Sequence, residues 1–109
     1  MPNYRFEACA TETGHRDLVA GPSTVGQLLA SDRIVHIYNS TGAAFPIVPP
    51  SGLLASSYRI LLKDAGANAG TNRIYFQGFL DGQTNPTLID VNGTWALIEY
   101  WQGIWFRVG

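Results

Sequence analysis

The sequence predicts an all-β domain, a small β-sandwich or barrel-like body of about seven or eight short antiparallel strands. Runs rich in β-branched and aromatic residues, about five to eight residues long, alternate with turn clusters of Gly, Asn, Asp and Pro at about 8 to 12-residue spacing. The last third is the clearest case, reading GTNRIYFQGF, LDGQTNPTLID, VNGTWALIEYW and QGIWFRVG. No long run with a helical period competes with these strands.

In chain order, Tyr4, Phe6 and Ala8 alternate with Asn3, Arg5 and Glu7, the period of a strand, and a polar turn-like stretch follows from Thr11 to Asp17. TVGQLLA, ending at Ala30, suits one or two helical turns capped by Ser23 or Thr24, or a loop, because Gly26 weakens any longer helix. Arg33 to Tyr38 (RIVHIY) is a β-branched strand stopped by Asn39, Ser40, Thr41 and Gly42. Ala44 to Val48 is a short extended segment ended by Pro49-Pro50, which cannot donate to a ladder.

SGLLASS is a connector, and Tyr58 to Lys63 sets Tyr58, Ile60 and Leu62 against Arg59, Leu61 and Lys63. After the loop Asp64 to Asn72, strands are expected at Arg73 to Phe79, Thr87 to Val91, Thr94 to Trp101 and Ile104 to Val108. Asn92-Gly93 and Gln102-Gly103 each divide apolar runs and tolerate positive φ, so two consecutive hairpins are expected.

The chain of 109 residues is one domain by size, long enough to bury roughly 65% of its unfolded surface without disulfides or metals. Only 14% of its residues are charged against 46% hydrophobic, below the usual charged share of about 25%. Such a surface is easier to explain when part of it is buried between subunits, so self-association is expected. The net charge is −1 and the seven Lys and Arg are scattered singly, which argues against nucleic acid as a partner. No window is apolar enough for membrane insertion, and MPNYRFEACATETGH lacks the order of a signal peptide, so folding in a cytoplasm is expected.

Few residues offer chemistry. Cys9 is a lone cysteine, and His15 and His36 are too few for a His-rich metal site; His36, between Val35 and Ile37, reads as an ordinary strand histidine. Asp64, Asp81 and Asp90 are carboxylates that could hold Ca²⁺ or act as an acid–base pair. Each stands at a strand end, where Asp accepts backbone N–H groups and makes turns, and that reading is preferred. Gly66 to Gly70 lacks the Lys-Ser/Thr and helix of a phosphate loop, and Asn39 and Asn92 head glycosylation sequons in form only. No Ser-His, Cys-His or paired-Glu constellation is present. The chain is therefore expected not to be an enzyme and to need no cofactor.

Aromatic rings are the remaining candidates. Tyr75, Trp95, Tyr100, Trp101 and Trp105 suit either subunit or core packing, or stacking on the apolar face of a sugar. Alternation puts Trp95, Leu97, Glu99 and Trp101 on one strand face and Thr94, Ala96, Ile98 and Tyr100 on the other, and one of these faces must be core.

The order FPIVPPSG, YRILLKDAGANAGTNRIYF, FLDGQTNPTLI and NGTWALIEYWQGIWFRVG resembles a β-module of tailed-bacteriophage tail fibres, tailspikes and capsid decoration proteins. Lys63-Asp64, Gly66 to Asn72, Asp81-Gly82 and Gly103 to Trp105 correspond in order to its strand end, its Gly-Asn-Ala loop, its Asp-Gly turn and its closing Gly-x-Trp. Phe79-Leu80 stands where the module has Thr-Ile, and the final hairpin is richer in Trp.

The resemblance covers residues 34–109 and leaves 1–33 unmatched. It implies a structural virion protein, usually a homotrimer, made in the bacterial host cytoplasm: a capsid decoration or head-spike protein, or a small tail fibre or spike component. Residues 1–33 would then carry contact with other virion proteins of capsid or tail, and residues 34–109 the β-module. The alternative is a carbohydrate-binding module that recognises a host surface glycan.

Overall fold

Successive strands in the first two thirds of this chain alternate between two sheets. The computed structural model describes residues 14–21, 24–51 and 58–109. Its strands are β1 (His15–Val19), β2 (Gly26–Gln27), β3 (Ile34–Tyr38), β4 (Phe45–Val48), β5 (Tyr58–Asp64), β6 (Ile74–Phe76), β7 (Phe79–Leu80), β8 (Gln83–Thr84), β9 (Thr87–Ile89), β10 (Trp95–Trp101) and β11 (Ile104–Arg107). The first sheet has the order β1-β3-β5-β10-β11, the second β2-β4-β6-β9, and β7-β8 form a two-stranded ribbon. The described residues are thus all-β, with no helix, and neither larger sheet closes into a barrel.

The expectation of an antiparallel body is corrected for the first half of the chain. Each strand from β3 to β6 pairs in parallel with the strand two places earlier, as in His15↔Ile34, Ile34↔Leu61, Gly26↔Ile47 and Phe45↔Ile74. Antiparallel pairing enters only with β6–β9, β5–β10, β10–β11 and the β7–β8 ribbon. Period-two alternation reports which face a side chain takes, but it reads the same for either direction of the neighbour.

Local chemistry explains the other departures. The segment open to a helical turn holds β2 instead. Gly26 packs so closely that a Cβ there would lie 2.7 Å from Ile47 Cδ1 and 2.8 Å from Phe45 Cε2. The turn-like stretch ending at Asp17 contains the start of β1. Its Arg16 points inward and meets the buried Asp32 through two bonds of 3.0 and 2.8 Å. Pro46 is tolerated inside β4 because its missing N–H lies on the side of β2, whose pairing begins only at Ile47. The run Arg73 to Phe79 is broken at Gly78 (φ 127°) into β6 and β7. The strand expected at Tyr4 to Ala8 lies outside the described residues.

One apolar core joins the sheets. Val35, Ile37, Ile60, Leu62, Ala96 and Ile98 come from the first, Phe45, Ile47, Ile74, Phe76, Leu88 and Ile89 from the second. Trp105 of β11 fills the end of this core, its ring centroid 5.2 Å from Tyr100, 5.8 Å from Phe76 and 6.2 Å from Tyr58. Burial of such large rings is a main source of stability in a small domain. Residues 14–21 and 24–33 belong to the same body, since β1 and β2 pair with β3 and β4.

Candidate interaction surface

Because β3, β5 and β10 run side by side, their outward residues form rows across the first sheet. His15, Ile34, Leu61 and Leu97 make one row, and Asp17, His36, Lys63 and Trp95 the next. Arg59, Glu99 and Phe106 follow on the other side, then the pair Trp101–Ile104. The apolar centre and the first two rows line a shallow groove of about 640 Å³ formed by His15, Ile34, His36, Leu61, Lys63, Trp95 and Leu97. Trp95, Trp101 and Ile104 remain 50%, 42% and 54% exposed on this face.

The charges on this face are turned toward one another or toward the backbone. Lys63 Nζ donates to the carbonyl of Gly93. Arg59 Nε lies 3.6 Å from Glu99 Oε2, and His36 Nδ1 lies 3.9 Å from Asp17 Oδ1. The rings of His15 and His36 meet edge to face at 5.9 Å. A sheet face in water normally carries alternating polar residues, whereas here apolar side chains occupy the outward positions of three adjoining strands.

The five aromatic candidates do not converge. Trp95 and Trp101 share the outward face of β10 but stand at opposite ends of it, about 20 Å apart in an extended strand. Tyr100 is half-buried and Trp105 is 9% exposed, both on the core side. Tyr75 belongs to the second sheet, where the Arg73 guanidinium lies 4.6 Å from its ring centroid. Alternation had therefore separated the two faces of β10 as observed, and the face of Ala96 and Ile98 is the buried one.

The carboxylates mostly serve turns and loops. Asp64 accepts the N–H groups of Asn68, Ala69 and Gly93 at 3.3, 2.9 and 3.0 Å. Asp81, at φ 54°, opens the β7–β8 turn with Gly82 and accepts the Arg107 N–H at 3.2 Å. Among the described residues no group of three or more His, Cys, Asp or Glu is arranged to hold a metal ion. His36 lies in β3, as a strand histidine should. No helix among them is long and apolar enough to cross a membrane.

Sequence reasoning missed the polar joint behind the groove. Arg16 donates to both Asp32 oxygens and to the Gln27 carbonyl, and Asp32 also accepts the Leu29 N–H at 2.8 Å. The hydrogen bond to Asp32, helped by its charge against the cost of burial, raises the guanidinium pKa above its ordinary value. Beside it, the Tyr58 hydroxyl reaches the carbonyls of Leu29 and Asp32 at 2.7 and 2.9 Å. Burial, and next the negative charge of Asp32, push the phenol up to about 12. Lone Arg and Asp residues 16 apart in sequence carry no spacing signal. The apolar groove did leave one: RIVHIY is apolar on both faces, a pattern of strands covered on both sides.

A second cleft of about 390 Å³ opens between the Asp81-Gly82 and Gln102-Gly103 turns and is lined by Phe76, Phe79, Ile104 and Trp105. Its floor is part of the aromatic core. No model of a known protein family matches this chain, and comparison with curated proteins gives no match either.

Proposed function

We propose that the protein is a non-enzymatic structural component of a tailed-bacteriophage particle, a capsid decoration or head-spike protein or a small tail fibre or spike component. In this reading a sandwich-like β-body assembles as a homotrimer through the outward face of its first sheet, and the N-terminal segment contacts capsid or tail proteins. The observation that carries the self-association is the apolar row Ile34–Leu61–Leu97, flanked by the exposed Trp95. The three row residues are half-buried and Trp95 beside them is half exposed, and apolar patches rich in Trp and poor in free charge are the mark of a contact surface. The ordered match of strand and turn motifs over residues 34–109 supports the phage assignment.

Light scattering tests the assembly. The wild-type protein should run at three times its 11.9 kDa chain mass, and Leu97→Lys, which puts a charge in the middle of the row, should run as a monomer with unchanged circular dichroism. A wild-type monomer at micromolar concentration overturns the self-association. Antibody labelling of purified phage particles tests the location separately.

A receptor-binding role is the second reading, favoured by the cross-strand pair Trp101–Ile104, which offers an exposed aromatic and aliphatic platform beside the β10–β11 turn. Binding to a glycan array that is lost in Trp101→Ala would select it.

A further inference from the structure

We propose that self-association through the first sheet is gated by pH, with His15 and His36 as the gate, so that neighbouring copies separate as the solution turns acidic. The inference rests on the self-association reading above. His15 and His36 line the same groove as Ile34, Leu61, Trp95 and Leu97 and are in ring contact at 5.9 Å. His is the side chain whose charge ordinarily changes between pH 5 and 8. Uncharged, both rings extend the apolar surface toward β1. Protonated, they add two positive charges to the wall that already carries Lys63, which stands opposite His36 in register.

Among the described residues the charged groups that face the pair are Asp17 on β1 and Lys63 on β5, and β10 contributes Trp95 and Leu97. Asp17 is exposed and 3.9 Å from His36. One carboxylate at that distance offsets at most one of three cations. A contact between copies would strip these cations of water, which opposes association.

The second copy is the occupant the surface fits. Five strands spaced about 4.8 Å apart, two of them seven residues long, give a face of roughly 20 × 24 Å before side-chain relief is added. A stable interface takes about 800 Å² of accessible surface per partner, so the face is of the right order. Pairing at the sheet edge is disfavoured by the inward charge of Arg16 on β1, a device that keeps edges from joining.

The test is sedimentation equilibrium at pH 7.5 and 5.5 at constant ionic strength, with circular dichroism at both values as the folding control. The wild-type dissociation constant should rise by about tenfold or more at the lower pH, and His15→Gln/His36→Gln should hold it within about twofold. Equal association of the wild type at both values overturns the gate while leaving the self-association intact. The same acid loss in the double variant overturns it too, by assigning the response to another group. A wild-type monomer at both values overturns the gate and the reading beneath it together.

Discussion

Asp64, 1% exposed at the end of β5, accepts the N–H of Gly93 at 3.0 Å and so ties two loops that are far apart in sequence. Asn92 completes the joint by accepting the Gly70 N–H at 2.7 Å. This explains why Asn92-Gly93 does not close the hairpin its sequence suggests. β9 lies in the second sheet and β10 in the first, so the turn is a corner between sheets. Gly93, at φ 75°, lets the chain reverse there while its N–H faces the Asp64 carboxylate.

Asp64→Asn should lower stability by about 1–3 kcal/mol, because an amide keeps one acceptor oxygen and presents an NH₂ group to the remaining backbone donors. Asp64→Ala should lower it further, by leaving all three N–H groups without an acceptor. Urea midpoints measure both. An Asn variant with the wild-type midpoint would mean that the three hydrogen bonds contribute nothing net.

Trp105→Ala should cost about 3–5 kcal/mol, the range for removing a large aromatic from a core. The residue is 9% exposed and touches three other rings, so the cavity cannot close by a single shift. Trp101→Ala, on the outward face of the neighbouring strand, should cost much less in the isolated chain. Denaturant unfolding of both variants below their association concentration distinguishes the two sites, and equal losses would contradict the assigned faces.

How much of this was legible in the sequence follows from what each signal reports. The strands β3, β4, β5, β10 and β11 and the Gln102-Gly103 hairpin were readable because alternation and turn chemistry are local. The parallel pairing of β1, β3 and β5 was not, since partners come from a different circuit of the chain. Arg16 and Asp17 read as turn residues because the ion pair that draws Arg16 inward is formed with Asp32, across the fold. For the surface, alternation in β10 assigned Trp95 and Trp101 to one face. It could not say that Leu97 would align with Leu61 and Ile34 to make a row.

Gly26→Ala should destabilise by about 1–3 kcal/mol through overpacking. The added methyl would meet Ile47 Cδ1 at 2.7 Å and Phe45 Cε2 at 2.8 Å, both in the core strand β4. Gly26 is not at a positive φ, so the cost comes from space and not from the backbone. Adding Ile47→Val should therefore recover part of the loss, and a double-mutant cycle checks it. Strict additivity of the two changes would remove the steric explanation.

Tyr58→Phe should lower stability at neutral pH by about 1 kcal/mol, the usual net effect of losing a buried hydroxyl's hydrogen bonding, since the Leu29 carbonyl still accepts the Asp32 N–H and the Asp32 carbonyl still accepts the Arg33 guanidinium. The hydroxyl is held at the Leu29 and Asp32 carbonyls, and the side chain is 4% exposed. The pH dependence has a definite sign. An unfolded-chain tyrosine releases its proton near pH 10, whereas burial and the charge of Asp32 raise the folded phenol to about 12. Between those values the folded chain keeps a proton that the unfolded chain has released, so rising pH favours unfolding. Stability from Tyr58 is thus fully present below pH 10 and is lost as the pH approaches 12. The phenylalanine variant has no proton to lose at this position. The gap in urea midpoint between wild type and Tyr58→Phe should therefore narrow steadily from pH 10 to 12, with the other tyrosines and the lysine cancelling in the comparison. A gap that stays constant over that range would mean that the folded phenol ionises as freely as the unfolded one, and that the Leu29 and Asp32 carbonyls do not hold its proton.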